Sequence, residues 1–321
     1  YQIQRLEAMQ NISKVLFQKP IIGKETFYRG LINEIKTKYQ ITYVSSLYEL
    51  LKTYSSIIKQ KDVSYYVVDL NNLSSLKKLN KDFDYVVNLG GYIDHVLFKD
   101  GGKKIIDSHF YGLMNLVEIV SRTKLKRFVQ IGSSDEYGNA PAPQNEELRE
   151  QPISPYSLAK VASTHFLQML HQTENFPAVT LRLFLTYGPG QDISRFLPQI
   201  IRGCLDDATF PASAGEQLRD FCYVDDSVQA ILQALTHPEV EGDVFNVASG
   251  IPVSIREMVE KVRNITGSGN PQFGEVSYRN GENMSLYANI SKAKRILNWQ
   301  STTNLDKGLK KSIEWFANDN D

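Results

Sequence analysis

Cysteine and net charge are both scarce in this sequence. Its 321 residues include two cysteines, Cys204 and Cys222, without metal-ligand spacing, so we expect reduced thiols and no metal site. Lysine plus arginine number 36, and aspartate plus glutamate also number 36, so the net charge is zero. This balance argues against nucleic acid or an anionic membrane as a partner, although it allows a local basic pocket for a phosphate.

Long apolar runs are missing as well. No stretch approaches the roughly 20 apolar residues of a membrane-spanning helix. The first residues lack a signal-peptide pattern, so we expect a cytoplasmic protein. Hydrophobic residues make up 42% and charged residues 22%, which is typical of a soluble globular chain with one large or two modest domains. Four histidines without metal-ligand spacing are interpreted as structural or surface residues: His95, His109, His165 and His171.

Short β-rich runs alternate with helical stretches along much of the chain. Predicted strands cover residues 14–17, 41–44, 65–68, 84–89, 127–131 and 179–184. Predicted helices cover residues 105–121, 156–174, 197–204, 224–235 and 305–316, with two more near 20–38 and 47–58. Residues 139–155 are predicted to be an exposed loop, and residues 266–283 are also loop-like. This alternation predicts a parallel sheet with right-handed crossovers, in which ligands bind at the carboxyl ends of the strands.

The strongest chemical signal is the segment SPYSLAK, residues 154–160. Tyr156 and Lys160 are four residues apart, which places them on one face of a helix. A nearby ammonium stabilises a phenolate and lowers the pKa of the tyrosine. Such a tyrosine can exchange a proton with a sugar hydroxyl while a hydride moves to a nicotinamide. The spacing is common by chance, so an ordinary surface pair is the alternative interpretation.

A second signal, RFVQIGSSDEYG, lies at residues 127–138. A strand that ends here delivers two hydroxyls and two carboxylates, those of Ser133, Ser134, Asp135 and Glu136. A serine at this edge can hydrogen-bond the reacting oxygen beside the tyrosine. Alternatively, these polar side chains bond their own backbone in a turn. The two segments together stand well above chance.

Further segments carry a resemblance to a known family: VVDLNN (67–72), VVNLGGYID (86–94), RLFLTYGPGQ (182–191), RDFCYVDD (219–226), FNVASG (245–250) and YRNGENMSLYANISKAKRILNW (278–299). Over nearly its whole length the chain resembles the extended short-chain dehydrogenase/reductase family, with its NAD-dependent nucleotide-sugar epimerases and dehydratases. The resemblance implies an α/β fold, a Rossmann-type doubly wound parallel sheet with a smaller α+β C-terminal substrate domain. Residues 1–180 would form the dinucleotide-binding domain, with strand 181–186 also in its sheet. Residues 187–321 would form the substrate domain, with some strands returning to the first.

The resemblance also implies roles for individual residues. Tyr156 would be the acid/base, Lys160 would bind the nicotinamide ribose and tune the tyrosine, and Ser133 would be the hydroxyl partner. Arginines would grip the diphosphate, because their planar fork can give two parallel bonds to one phosphate. The implied catalytic residues are Tyr156, Lys160, Ser133 and Asp135; the cofactor-binding residues are Gly23, Asp69, Leu70, Leu89, Gly90, Gly91, Tyr156 and Lys160; and the substrate-binding residues are Ser134, Arg195, Arg219 and Arg279.

The implied function is NAD- or NADP-dependent hydride transfer at C4 of a nucleotide-activated hexose, for the synthesis of cell-surface polysaccharide sugars. Epimerase, 4,6-dehydratase and 4-ketoreductase remain open, and in a dehydratase Asp135 would be the base. The resemblance also implies a homodimer paired through helices 105–121 and 156–174. Apolar residues that could serve either that face or the core are Phe110, Met114, Phe166, Met169 and Leu170.

The chain departs from the family pattern in the turn after its first strand. The family's T-G-x-x-G-x-x-G turn lets backbone approach the pyrophosphate. Here residues 18–23 keep only Gly23, and Pro20 removes one backbone N–H. The alternative function is therefore a cofactor-defective, non-catalytic sugar-nucleotide binder or partner subunit. Ser45 and Ser46, at the end of the second strand, do not decide between NAD and NADP.

Overall fold

The structure is a computed structural model that describes residues 14–18, 40–45, 63–79, 81–90, 93–278 and 281–318. Of the residues predicted to form the site, Gly23, Gly91 and Arg279 lie outside these ranges. The helices predicted near 20–38 and 47–58 also lie outside them. Within the described ranges, no helix has both the length and the apolar character that crossing a bilayer would need.

The elements follow one another in an α/β order. The strands are β1 (Lys14–Gln18), β2 (Gln40–Ser45), β3 (Val63–Val67), β4 (Tyr85–Asn88), β5 (Arg127–Ser133), β6 (Ala178–Leu183), β7 (Leu185–Tyr187), β8 (Thr209–Ala212), β9 (Leu218–Tyr223), β10 (Val244–Val247), β11 (Pro252–Ser254), β12 (Asn270–Phe273) and β13 (Ser285–Leu286). The α-helices are α1 (Leu73–Leu76), α2 (Gly102–Ile106), α3 (Gly112–Ile119), α4 (Pro155–Glu174), α5 (Phe196–Leu205), α6 (Val224–Thr236), α7 (Ile255–Thr266) and α8 (Leu305–Asn318). A π-helical turn, Asp107–Tyr111, joins α2 to α3, and another, Ala293–Leu297, precedes α8.

The main sheet has seven parallel strands in the order β10-β6-β5-β4-β1-β2-β3. Its two faces carry separate cores because successive side chains of a strand point to opposite sides. Val86 and Phe128 pack with residues of α3 and α4, whereas Val87 and Val129 pack with residues of α6. The predicted doubly wound parallel sheet is confirmed. Strand order reverses between β1 and β4, which is where such sheets open a crevice for ligands.

Helix α4 carries Tyr156 and Lys160, and local sequence sets its start. The Ser154 hydroxyl caps the helix by accepting a hydrogen bond from the Ser157 N–H at 3.1 Å. Pro155 occupies the first helical position, where a missing N–H costs nothing. The helix predicted over 156–174 is thus confirmed, and Tyr156 lies in its first turn.

A second sheet of β7, β9, β11 and β13 lies beyond the main one. The buried Asp220 carboxylate on β9 accepts hydrogen bonds from the Ser249 N–H at 2.7 Å, the Ser249 hydroxyl at 2.6 Å and the Gly250 N–H at 2.9 Å. The Ala288 N–H donates to the same carboxylate at 3.2 Å. These bonds fasten β9, and with it Arg219, to the loop that follows β10 of the main sheet.

Two loop predictions were partly wrong. Residues Asn270–Phe273 form β12, which pairs in parallel with β8. Its partner strand lies 61 residues away in the chain, and its own sequence lacks the alternation of apolar and polar residues that would predict a strand. Residues 139–155 are irregular, as predicted, but they are not wholly exposed. Gln144 is buried there, and its amide donates to the Ala140 carbonyl at 3.1 Å and accepts from the Tyr287 N–H at 2.9 Å.

Gly138, which ends the turn after β5, is expected to tolerate no side chain. Its φ is +52°, and an added Cβ would lie 1.7 Å from the Gln151 carbonyl oxygen. Gly138→Ala should therefore lower the free energy of unfolding by about 3 kcal/mol or more, measured by urea denaturation. Gly274→Ala is the matched control, because Gly274 has φ +94° but nothing within 4 Å of an added Cβ. It should cost only about 1–2 kcal/mol, and equal losses at both sites would contradict the steric argument.

Candidate active site

A cavity of about 240 Å³ lies at the carboxyl ends of β5 and β6 and beside β7. This is the edge of a parallel sheet where ligands are expected. Five of the residues predicted to act on or bind substrate line it: Ser133, Ser134, Asp135, Tyr156 and Arg195. The rest of the lining includes Ile93, His95, Leu185, Thr186 and Gln191. The structure therefore brings together the two segments that the sequence marked as chemical, 127–138 and 154–160.

Tyr156 is held firmly at this cavity. Its side chain is buried, and both its phenol and the Ser133 hydroxyl line the cavity, where the serine acts to lower the pKa of the phenol. The rings of His95 and His109 meet the tyrosine ring edge to face, with centroids 5.7 and 5.0 Å away. The phenol oxygen and the serine hydroxyl thus form a fixed pair that could hold one substrate oxygen between them.

The pKa of the Tyr156 phenol is raised above its ordinary value. Burial is the largest cause, the negative charge of Asp135 adds to it, and the hydrogen bond from Ser133 opposes it. Lys160 donates instead to the Ile131 carbonyl at 2.8 Å, with its ammonium 5.9 Å from the tyrosine ring centroid. Desolvation therefore sets the direction of this shift, and the predicted tuning of the phenol by Lys160 remains a prediction.

Glu136 is buried away from the cavity and fully engaged. One carboxylate oxygen accepts from the Ser133 N–H at 2.9 Å; the other accepts from the Thr164 hydroxyl and from Arg182 Nε, both at 2.8 Å. Arg182 is itself buried and also pairs with Glu150. Glu136 thus joins the Ser133 turn to α4 and β6, and it is unavailable as a base toward substrate.

Asp135 is the acidic residue of this turn that faces the cavity. Its N–H donates to the Ser133 hydroxyl at 3.1 Å, and its carboxylate lies 3.7 Å from His95 Nε2. His95 was interpreted as a structural or surface residue; its side chain is 42% exposed, and it also lines the cavity. The loop after β4 carries its ring over the cavity, against Tyr156. The only signal in the sequence was its position just beyond a strand end.

A wider cavity of about 580 Å³ adjoins the first. His95, Leu185 and Arg195 line both, so the two cavities lie side by side. Arg219 lies in the wider cavity, where it donates to the Leu218 carbonyl at 2.8 Å and pairs with Glu282. Arg195 and Arg219, which were both predicted to bind substrate, thus line the same cavity. Glu282 was not predicted, because an acid is unexpected where a diphosphate is to bind.

The residues predicted to hold the dinucleotide follow β3 and β4 at the same edge of the sheet. Asp69 is exposed and Leu70 is half-buried just after β3, while Leu89 and Gly90 are buried just after β4. An exposed carboxylate, a small residue at the strand end and the buried ammonium of Lys160 fit an adenine–nicotinamide dinucleotide lying along this edge. The individual contacts of these residues with a cofactor remain predictions.

Comparisons with known proteins agree with this geometry. Residues 35–248, more than half of the chain, match the model of the NAD dependent epimerase/dehydratase family. The chain is 23% identical to a UDP-glucuronate 4-epimerase of Thermodesulfobacterium geofontis, over 89% of this chain and 90% of that one. The region matched by the family model begins at residue 35, after the turn at residues 18–23 in which the glycine pattern is incomplete.

Solved structures share the fold. The UDP-N-acetylglucosamine 4-epimerase from Methanobrevibacter ruminantium, in complex with UDP-N-acetylmuramic acid, superposes with a TM-score of 0.85 at 21% identity, covering 95% of this chain and 98% of that chain. The UDP-glucuronic acid 4-epimerase from Bacillus cereus, in complex with UDP-glucuronic acid and NAD, gives 0.82 at 24% identity, covering 94% and 98%. The predicted fold, enzyme class and NAD cofactor are confirmed, and this chain belongs to the NAD dependent epimerase/dehydratase family.

Proposed function

We propose that this chain is a UDP-hexose 4-epimerase, which inverts the configuration at C4 of a nucleotide-activated hexose. The observation that carries the proposal is that Tyr156 and Ser133 line one cavity, beside a second cavity lined by Arg195 and Arg219. A phenol and a serine hydroxyl at one point suit a sugar hydroxyl that must lose and regain its proton. Arginines at the far end suit a diphosphate.

Tyr156 has the role of exchanging the proton of the C4 hydroxyl, and Ser133 holds that hydroxyl in line. When bound, NAD would supply an acceptor and donor of hydride for C4, and its oxidised ring would carry a positive charge. Burial and the negative charge of Asp135 raise the pKa of the Tyr156 phenol, so a positive charge nearby would favour the loss of its proton. The first turn of α4 adds a smaller positive potential at Tyr156.

The buried position of Glu136 favours epimerisation over dehydration. A 4,6-dehydratase also needs groups that remove the C5 proton and assist loss of the C6 hydroxyl. Of the two acidic residues next to Ser133, only Asp135 reaches the cavity, because Glu136 is bonded to Ser133, Thr164 and Arg182. The similarity to proteins named as 4-epimerases supports the same choice.

Arg219 is proposed to exchange partners when substrate arrives. Its guanidinium is paired with Glu282, and both side chains are mostly buried at the wider cavity. A diphosphate carries more charge than a carboxylate and offers the same bidentate geometry. Arg195, at the junction of the two cavities, could hold the diphosphate from the other side.

Two measurements test the proposed function. The purified chain is incubated with NAD and UDP-glucose, and formation of UDP-galactose is followed by proton NMR; conversion in both directions is the expected result. Separately, NAD and NADP are titrated while the melting temperature is recorded, because a bound ligand raises it by mass action. A rise with NAD is expected. No conversion and no rise at millimolar NAD would instead support the non-catalytic binder.

A homodimer through α3 and α4 is part of the proposal. Leu158 and Met169 on α4 are 49% and 44% exposed, and Tyr111, in the π-helical turn before α3, is 52% exposed. Phe110 in the same turn packs against Phe166 of α4, with ring centroids 5.9 Å apart. A second copy of the chain would cover the same surface by two-fold symmetry. Of the residues that could serve either this face or the core, Leu170 is buried in the core and Met114 is half-buried.

Met169→Glu is therefore expected to shift the protein from dimer to monomer, because a carboxylate would be buried against its own symmetry copy. Light scattering coupled to gel filtration measures the mass directly. Ile251→Glu is the control, since Ile251 is 66% exposed elsewhere on the surface and should leave the mass unchanged. A monomeric wild-type protein at micromolar concentration would contradict the proposed pairing.

The free thiols of Cys204 and Cys222, both buried, are in keeping with a cytoplasmic location.

A further inference from the structure

The Asp135 carboxylate lies in the space where the sugar ring of the proposed substrate would sit. It lines the same cavity of about 240 Å³ as Tyr156 and Ser133, and 30% of its side chain is exposed there. Its own N–H donates to the Ser133 hydroxyl at 3.1 Å, so the serine that would touch O4 also fixes the backbone of the aspartate. The backbone of Asp135 is therefore held by Ser133, the residue proposed to contact O4 of the sugar.

Few charged groups surround this space. Among the described residues that line it, Asp135 and Arg195 carry charge, and His95 stands 3.7 Å from the aspartate. Glu136 lies behind the wall, paired with Arg182. The negative charges of Asp135 and Glu136 both raise the pKa of the Tyr156 phenol, and Arg195 opposes them with the smallest effect of the three. Asp135 thus has the largest effect of these three charged groups on the Tyr156 phenol.

Arg195 is better placed to serve the other end of the ligand. It also lines the wider cavity with Arg219, where the diphosphate is proposed to bind. A cation engaged by phosphate is screened from a second anion several ångströms away. Arg195 therefore does not cancel the charge of Asp135 for a group that approaches Tyr156.

Hexose geometry brings C6 into the same space. C6 is attached to C5, the ring neighbour of C4, so a sugar whose O4 touches Tyr156 and Ser133 carries its C6 substituent close to that contact. A hydroxymethyl group there could hydrogen-bond the Asp135 carboxylate. A carboxylate at C6 would instead place two like charges in one partly desolvated cavity, and one of them would have to take up a proton or move.

We infer that Asp135 is a specificity-determining residue that restricts this site to hexoses with an uncharged C6 and excludes hexuronates. The inference rests on the proposed 4-epimerase function and names its substrate class. It separates the chain from its relatives in the family that are named for UDP-glucuronate.

The test compares UDP-glucose with UDP-glucuronate in three proteins: wild type, Asp135→Asn and Glu314→Gln. The measured quantity is the ratio of kcat/KM for UDP-glucuronate to kcat/KM for UDP-glucose, so that any effect common to both substrates cancels. For the wild type we expect a ratio of about 0.01 or less, and for Asp135→Asn a ratio at least about tenfold higher. Glu314→Gln removes one negative charge from an exposed position of α8 that lines neither cavity, and it should leave the ratio within about twofold of wild type.

The outcomes separate the inference from the function on which it rests. If the wild type converts neither UDP-sugar, the proposed function fails. If it converts UDP-glucuronate as readily as UDP-glucose, or if Asp135→Asn leaves the ratio unchanged, the function stands and the role of Asp135 is overturned. Should Asp135→Asn fail to fold, inhibition of the wild type decides: UDP-glucuronate should compete with UDP-glucose at least about tenfold more weakly than UDP-galactose does, and equal inhibition would overturn the inference.

Discussion

Replacing Tyr156 with phenylalanine is expected to lower kcat for UDP-glucose by about a hundredfold to ten-thousandfold, because the group that exchanges the O4 proton is lost. The ring keeps its edge-to-face contacts with His95 and His109, so the fold should survive. KM should change by less than about threefold, since the diphosphate contacts lie in the other cavity. Steady-state kinetics by NMR or by a coupled assay measures both quantities.

Tyr85→Phe is the control for that substitution. It also removes one phenol hydroxyl from a buried tyrosine, but at the start of β4, far from the carboxyl edge that bears the cavity. Its kcat should stay within about twofold of wild type. If Tyr156→Phe kept more than about a tenth of the wild-type kcat, the proton exchange would have to be assigned to another group.

Glu136→Gln is expected to have the second large effect, on stability and on turnover together. Arg182 would lose a buried charged partner while being 1% exposed, and breaking such a pair costs about 3–5 kcal/mol. The remaining pair with Glu150 should hold the loss near the lower figure. The new amide would also turn an N–H toward Thr164 or Arg182, so the turn that bears Ser133 should shift and kcat should fall by about tenfold or more.

Thr164→Val provides the comparison within the same network. It removes one hydrogen bond to the Glu136 carboxylate without changing any charge, which should cost about 1 kcal/mol in urea unfolding. Its kcat should remain within about twofold of wild type. Equal stability losses in the two variants, or full activity in Glu136→Gln, would contradict a role for Glu136 in positioning Ser133.

The sequence predicted those parts of the fold that local patterns determine. β5 and β6 are buried along their whole length and are rich in apolar residues, so they could be recognised as strands. Ser154 and Pro155 are residue types typical of the start of a helix, and α4 begins at Pro155. In contrast, β12 and β13 are four and two residues long, and their hydrogen-bond partners are distant in the chain. No local pattern could reveal them.

The candidate site was predictable to a similar degree. The sequence placed Tyr156 and Ser133 in one site because segments 127–138 and 154–160 were both expected at the carboxyl edge of the sheet. The different roles of Asp135 and Glu136 did not, because which of two adjacent acids turns inward depends on Arg182, 46 residues along the chain. The pKa of Tyr156 also escaped prediction, since burial is a property of the folded chain. Gly23 and the shortened turn remain predictions, because they lie outside the described residues.

The central claim is that Tyr156 and Ser133 hold O4 while hydrogen leaves C4 as a hydride and returns to the same carbon. The most direct test uses UDP-glucose that carries deuterium at C4, incubated with the protein and NAD in ordinary water. The account predicts UDP-galactose that retains the deuterium at C4, as seen by NMR and mass spectrometry. Loss of the deuterium to solvent would mean that a proton is moved instead of a hydride, and it would contradict the account.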